Sequence, residues 1–191
     1  MSCPLRFSGS RGGRTPTLTT VVATLLIASI TTSYTRAEPA QPLDRALASV
    51  RRTDLSQHIN TLASDTLRGR AAGTDGGHAA GAYLVQQLRR VGLKPAGVDG
   101  DFYQEFSEKG FRNVLSVLPG TDPQLKDRYI VIGAHYDHLG VRKNAVYPGA
   151  DDNASGVALM LEVARQLATR KAPPARTVAF VGFDLEERLL W

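Results

Sequence analysis

The chain has 191 residues, 42% hydrophobic and 21% charged, which suits one ordinary globular domain and excludes a disordered, collagen-like or coiled-coil chain. Its net charge of +5 is concentrated at one end: Arg6, Arg11, Arg14 and Arg36 fall within residues 1–37, which hold no acidic residue, and the rest carries 19 basic against 18 acidic side chains. The folded part therefore has no basic footprint for nucleic acid.

Residues 1–37 read as an export signal. A basic, Ser/Gly-rich start precedes the apolar run Val21–Ile30, and Thr35-Arg36-Ala37 then stands ahead of Glu38. The run is too short to span a bilayer comfortably, and no later stretch is long and apolar enough for a membrane helix. The expected product starts near Glu38 and is periplasmic or secreted. Cys3, the only cysteine, lies in the leader, so any metal site in the exported chain must be built from His, Asp and Glu.

Residues 38–53 become helical in pattern from Leu43. Asp54 is placed to cap a short helix carrying Leu55, Ile59 and Leu62, with Gln57 at the capping-box position. The glycine-rich stretch 65–74, DTLRGRAAGT, reads as a loop. From Gly77 to Val91 the spacing predicts a helix with Ala80, Leu84, Leu88 and Val91 on one face, ended by Gly92. Three short apolar runs follow, 113–118, 129–134 and 177–183, each reading as a buried strand. Between the last two, Val157, Met160, Leu161, Ala164 and Leu167 recur at helical spacing over 156–168. Strand, helix and strand in that order predict a right-handed βαβ unit with parallel strands. The expected class is α/β, a helix-flanked, mainly parallel sheet.

Three clusters could carry chemistry. His135-Tyr136-Asp137-His138 follows the second strand, Gly149–Gly156 (GADDNASG) precedes the helix, and Asp184-Leu185-Glu186-Glu187 follows the third strand. The carboxyl edge of an open α/β sheet is where such folds build their sites. Alternation at a strand exit puts His135 and Asp137 on one side, so one can bind a metal while the other holds the imidazole by its second nitrogen. In an adjacent Glu-Glu pair, one carboxylate can ligate while the other accepts a proton from the attacking water. Asp151 or Asp152 could bridge two metals through its two oxygens. Each cluster also has a plainer explanation. An Asp or Asn before a helix is usually an N-cap, adjacent glutamates usually face solvent, and a His after a strand is usually a polar loop residue.

Taken together, "IVIGAHYDHLG" (130–140), "GADDNASG" (149–156) and "FVGFDLEE" (180–187) resemble the secreted dizinc aminopeptidase family, which also holds glutaminyl cyclase relatives and non-catalytic receptor ectodomains. "LASDTLRGRAAGT" and "VGLKPAG" resemble the region that precedes the family's first motif. The resemblance implies a zinc-exopeptidase-like α/β/α sandwich over residues 38–191 and two zinc ions. It implies His135, Asp152 and Glu187 as metal ligands, with Asp152 rather than Asp151 as the bridge. It implies Glu186 as general base and Asp137 as the catalytic partner that orients His135, and often a cis bond at Asp152–Asn153. The implied reaction is hydrolysis of the N-terminal bond of peptides or proteins.

The family pattern adds an Asp and then a His after the Glu-Glu pair, whereas the histidines here are His58, His78, His135 and His138. The expectation is therefore an N-terminal portion of such an enzyme, inactive as given. The competing expectation is a non-catalytic, peptidase-like binding domain.

Overall fold

The computed structural model describes residues 41–106 and 109–189. The expected leader, residues 1–37, lies outside them, as do the last two residues. The described residues fall in one compact unit, and no helix among them is long and apolar enough to cross a membrane.

The chain begins with α1 (Gln41–Ser49) and α2 (Arg52–Leu62). The expected cap at Asp54 is corrected by the structure. The helix starts three residues earlier, and Arg51 takes the cap position with no side-chain cap bond. Asp54 sits in the first turn and accepts from Arg51 Nε at 3.0 Å. An acidic residue anywhere in the first turn offsets the helix dipole, so the composition marks the helix start without fixing its first residue.

After a 3₁₀ turn at Asp65–Leu67 the chain enters α3 (Asp75–Arg90). Thr74 caps it, its hydroxyl accepting the Gly77 N–H at 3.2 Å. Ala80, Leu84 and Leu88 are fully buried along one face, and Val91 packs against them. Gly92, at φ 82°, ends the helix as its sequence position requires; its N–H donates to Arg89 O and that of Leu93 to Leu88 O.

The three longest strands of the sheet are β3 (Arg112–Leu118), β4 (Ile130–His135) and β7 (Val178–Phe183). β1 (Lys94–Pro95) and β2 (Tyr103–Glu105) both pair antiparallel with β3, giving the order β1–β3–β7–β4 with β2 beside β3. A small hairpin, β5 (Gly140–Arg142) and β6 (Ala145–Tyr147), stands apart. The sheet is mixed rather than mainly parallel among the described residues: β3 runs antiparallel to β7, and β4 parallel to it. The parallel pair is the one the sequence predicts. α4 (Gly156–Ala168) supplies the crossover that a parallel pair needs, whereas β1, β2 and β3 follow one another by short links that suit antiparallel pairing.

Val114, Val178 and Phe180 face a single core shared with Leu62 of α2, Leu84 and Leu88 of α3, and Val157, Met160, Leu161 and Ala164 of α4. The described helices cover this face of the sheet. Among the described residues β4 is the edge strand: Ile130 is 47% and Val131 61% exposed. Among the described residues the expected burial on both sides is not met for β4, because apolar runs report β-propensity and not which strand lies outermost.

Register is what positions the site. Ile130 pairs with Val178 and His135 with Phe183, so the ends of β4 and β7 lie side by side. The chain leaves both strands at one edge of the sheet.

Candidate metal centre

Three loops meet at that edge. His135 closes β4, Asp152 lies in the turn 150–155 ahead of α4, and Glu186 and Glu187 open the short α5 (Glu186–Leu189) after β7. His135 Nε2 is 3.2 Å from Asp152 Oδ1 and 3.9 Å from Glu186 Oε2. One ligand atom each from His135, Asp152 and Glu187 lies within 4.8 Å of the others. Asp151, the alternative to Asp152, is not in this group. The Asp152–Asn153 peptide bond is cis, as the resemblance implies. Asn153 has a role of its own, accepting the Gly156 N–H at 3.0 Å as α4 begins.

Asp137 is fully buried behind this group. Its Oδ1 is 3.6 Å from His135 Nδ1, a close charge contact rather than a hydrogen bond. Its oxygens also accept the backbone N–H groups of Glu186 at 3.1 Å and Glu187 at 3.2 Å. Asp137 therefore faces the imidazole and holds the Glu186–Glu187 backbone, a second task that sequence reading misses. Alternation along β4 can place Asp137 beside His135, but only strand register can bring a segment about 50 residues later onto the same carboxylate.

Two further residues escape the sequence reading. His138 is buried, and its Nδ1 lies 2.5 Å from Glu187 Oε1. Arg70, from the glycine-rich loop before α3, is fully buried against the backbone of this edge. The HYDH run named His138 without giving it a role, and Arg70 lies in a stretch with no helical or strand periodicity.

Four carboxylates, from Asp137, Asp152, Glu186 and Glu187, crowd this edge around two imidazoles. Asp137 does most to raise the His135 pKa above its ordinary value; burial opposes the rise, and the charges of Glu186 and Asp152 add to it. Nearby Asp184 is also buried, and burial pushes its pKa up, although the Arg112 N–H donates to its Oδ2 at 3.0 Å. An imidazole and two carboxylates within 4.8 Å of one another, amid excess negative charge, are the donor types that suit a divalent cation. The second ring nitrogen of His135, facing a buried carboxylate, matches the arrangement that orients metal-bound histidines.

Comparison with known proteins follows the same lines. Residues 113–191 match Peptidase family M28. All three motifs lie in that segment, so the residues that carry the resemblance are the ones this family matches. The chain is 28% identical over 130 residues to a "Probable leucine aminopeptidase" of Arthroderma otae, covering 66% of this chain and 33% of the relative. It is 43% identical over 83 residues to a "Probable zinc metalloprotease" of Pyricularia oryzae, covering 41% of this chain and 16% of that protein. The chain thus spans a third or less of the length of these relatives. Among solved structures it superposes on LapB of Legionella pneumophila with a TM-score of 0.63 at 23% identity, covering 78% of this chain and 39% of LapB, which shows a common fold.

Proposed function

With residues 113–191 matched to Peptidase family M28, we propose that this chain carries the first part of a dizinc aminopeptidase site that hydrolyses the N-terminal bond of peptides. The observation that supports it most is the meeting of His135, Asp152 and Glu187 from three separate segments. In this reading His135 and Glu187 would each hold one ion and Asp152 would serve both. Bound zinc would polarise the scissile carbonyl and lower the pKa of the attacking water.

The chain's own residues supply the rest. Glu186, 3.9 Å from His135 Nε2 and outside the ligand group, is placed to take the water's proton and return it to the leaving amine. Asp137 fixes the Glu186 backbone and faces His135, so base and ligand share one buried anchor. Peptide or protein N-termini are the proposed substrates, and export with removal of residues 1–37 the proposed route. Intact-mass analysis of secreted material checks that route.

Catalytic zinc takes about three protein ligands and an open position. Two ions therefore need donors beyond the three that the described residues bring together. We propose that the 191 residues alone bind zinc weakly and do not turn over. Zinc stoichiometry and hydrolysis of an aminoacyl anilide test this: tight binding of two ions with turnover refutes the inactivity, and no zinc binding at all refutes the site. The alternative is a non-catalytic, peptidase-like binding domain. The presence of Glu186 beside the ligand group favours the enzyme, since a binding domain has no use for it.

A further inference from the structure

Arg70 is 0% exposed, yet among the described residues no carboxylate lies within ion-pair distance of its guanidinium. An arginine has five N–H donors, and here all five meet backbone carbonyls. Nε donates to Tyr136 O at 2.8 Å. Nη1 donates to Leu62 O at 3.1 Å and to Pro148 O. Nη2 donates to Gly149 O at 2.6 Å and Asp152 O at 3.2 Å. The main chain adds to this, as Arg70 O accepts the His138 N–H at 3.2 Å.

These acceptors are not scattered. Tyr136 lies between His135 and Asp137, and Pro148, Gly149 and Asp152 belong to the loop that presents the Asp152 carboxylate. A carboxylate partner for Arg70 would have taken an oxygen away from the metal. With every donor on a carbonyl, Arg70 takes no oxygen of Asp137, Asp152 or Glu187 while placing a positive charge near them.

We propose that Arg70 is a positioning residue of the metal centre, a five-point clamp that fixes the peptide after His135 and the Pro148–Asp152 loop in one frame. The proposal rests on the metal-site reading for its consequence, but the frame itself belongs to the metal-free chain. Lysine keeps the charge and loses the planar fork, so charge and geometry can be separated.

The test compares wild type with Arg70→Lys in the full chain by amide hydrogen exchange without metal and by cobalt(II) titration. In Arg70→Lys the amide of Phe180, in the strand between β3 and β4, should stay protected. The amide of Ala154, bonded to Gly149 O at 3.2 Å, should lose protection. Cobalt affinity should fall about 10–100-fold with an altered visible spectrum. Unchanged Ala154 protection together with cobalt affinity within about twofold of wild type overturns the proposal, since charge alone would then suffice. If wild type itself binds no cobalt, the metal reading fails and the clamp stands or falls on the Ala154 amide. If Arg70→Lys does not fold, wild type decides. Arg70 guanidinium protons resolved singly and slow to exchange support the clamp, and exchange as fast as that of exposed arginines overturns it.

Discussion

His138 Nδ1 lies 2.5 Å from Glu187 Oε1, a contact between residues 49 apart in the chain. Both side chains are largely buried, at 9% and 13% exposure. Glu187 is therefore held by its carboxylate through His138 and by its N–H through Asp137, which together set where its free oxygen points. His138→Ala should weaken zinc binding about 10–100-fold, the usual effect of losing a residue that orients a ligand. Competition against a chromophoric chelator measures it. Unchanged affinity would mean that Asp137 alone places Glu187.

Glu186 and Glu187 are neighbours with different proposed roles, and metal binding tells them apart without any assay of turnover. Only Glu187 belongs to the three-residue ligand group. Glu187→Gln should weaken zinc by about tenfold or more, while Glu186→Gln should leave it within about threefold. Isothermal titration of both variants decides, and the reverse order would exchange the assignments.

Gly149 opens the loop that carries Asp152, at φ 56°. A Cβ there would lie 2.3 Å from Asp152 O and 2.5 Å from the His138 ring. Gly149→Ala should cost more than about 1 kcal/mol from the left-handed backbone alone, and more from the two overlaps. Urea denaturation gives the loss, and a cost near zero would mean that the loop rearranges freely.

Away from the site, Glu162 of α4 is 5% exposed and takes Arg165 Nε at 2.8 Å and Nη2 at 2.7 Å, with Gln166 Nε2 at 2.7 Å. The Arg165 hydrogen bonds hold its pKa below the ordinary glutamate value against the opposing effect of burial. A carboxylate with a lowered folded pKa adds stability above its unfolded pKa, and that stability is lost as pH falls through the folded value. Glu162→Gln should therefore cost about 1–2 kcal/mol at pH 7. The gap from wild type should narrow below about pH 4.3. Urea midpoints at several pH values check this, and a gap that widens in acid would reverse the sign.

The buried face of β7 is a plainer test of the core. Phe180 is fully buried in the strand between β3 and β4. Phe180→Ala should cost about 3–5 kcal/mol. A smaller loss in urea melts would show that the surrounding core relaxes into the cavity.

Much of this chain is decided locally and is legible in its sequence. Periodicity marks α3 through Ala80, Leu84 and Leu88, and Gly92 ends it, because a helix face and an αL cap depend on residues a few positions apart. The β4–α4–β7 order carries its own parallel pairing, since the crossover dictates it. That pairing brings His135, Asp152 and Glu187 to one edge, so the candidate site was readable from three motifs and one topology. What tertiary structure alone decided was long-range and polar. β7 takes the place between β3 and β4, although β4 comes next after β3 in the chain among the strands of this sheet. Asp137 reaches the backbone of Glu186 and Glu187, and His138 reaches the Glu187 carboxylate. Arg70 finds five carbonyls in three segments. Hydrogen bonds of this kind have no period. A buried donor takes whichever acceptors the packed backbone leaves unpaired, and that inventory exists only once the chain has folded.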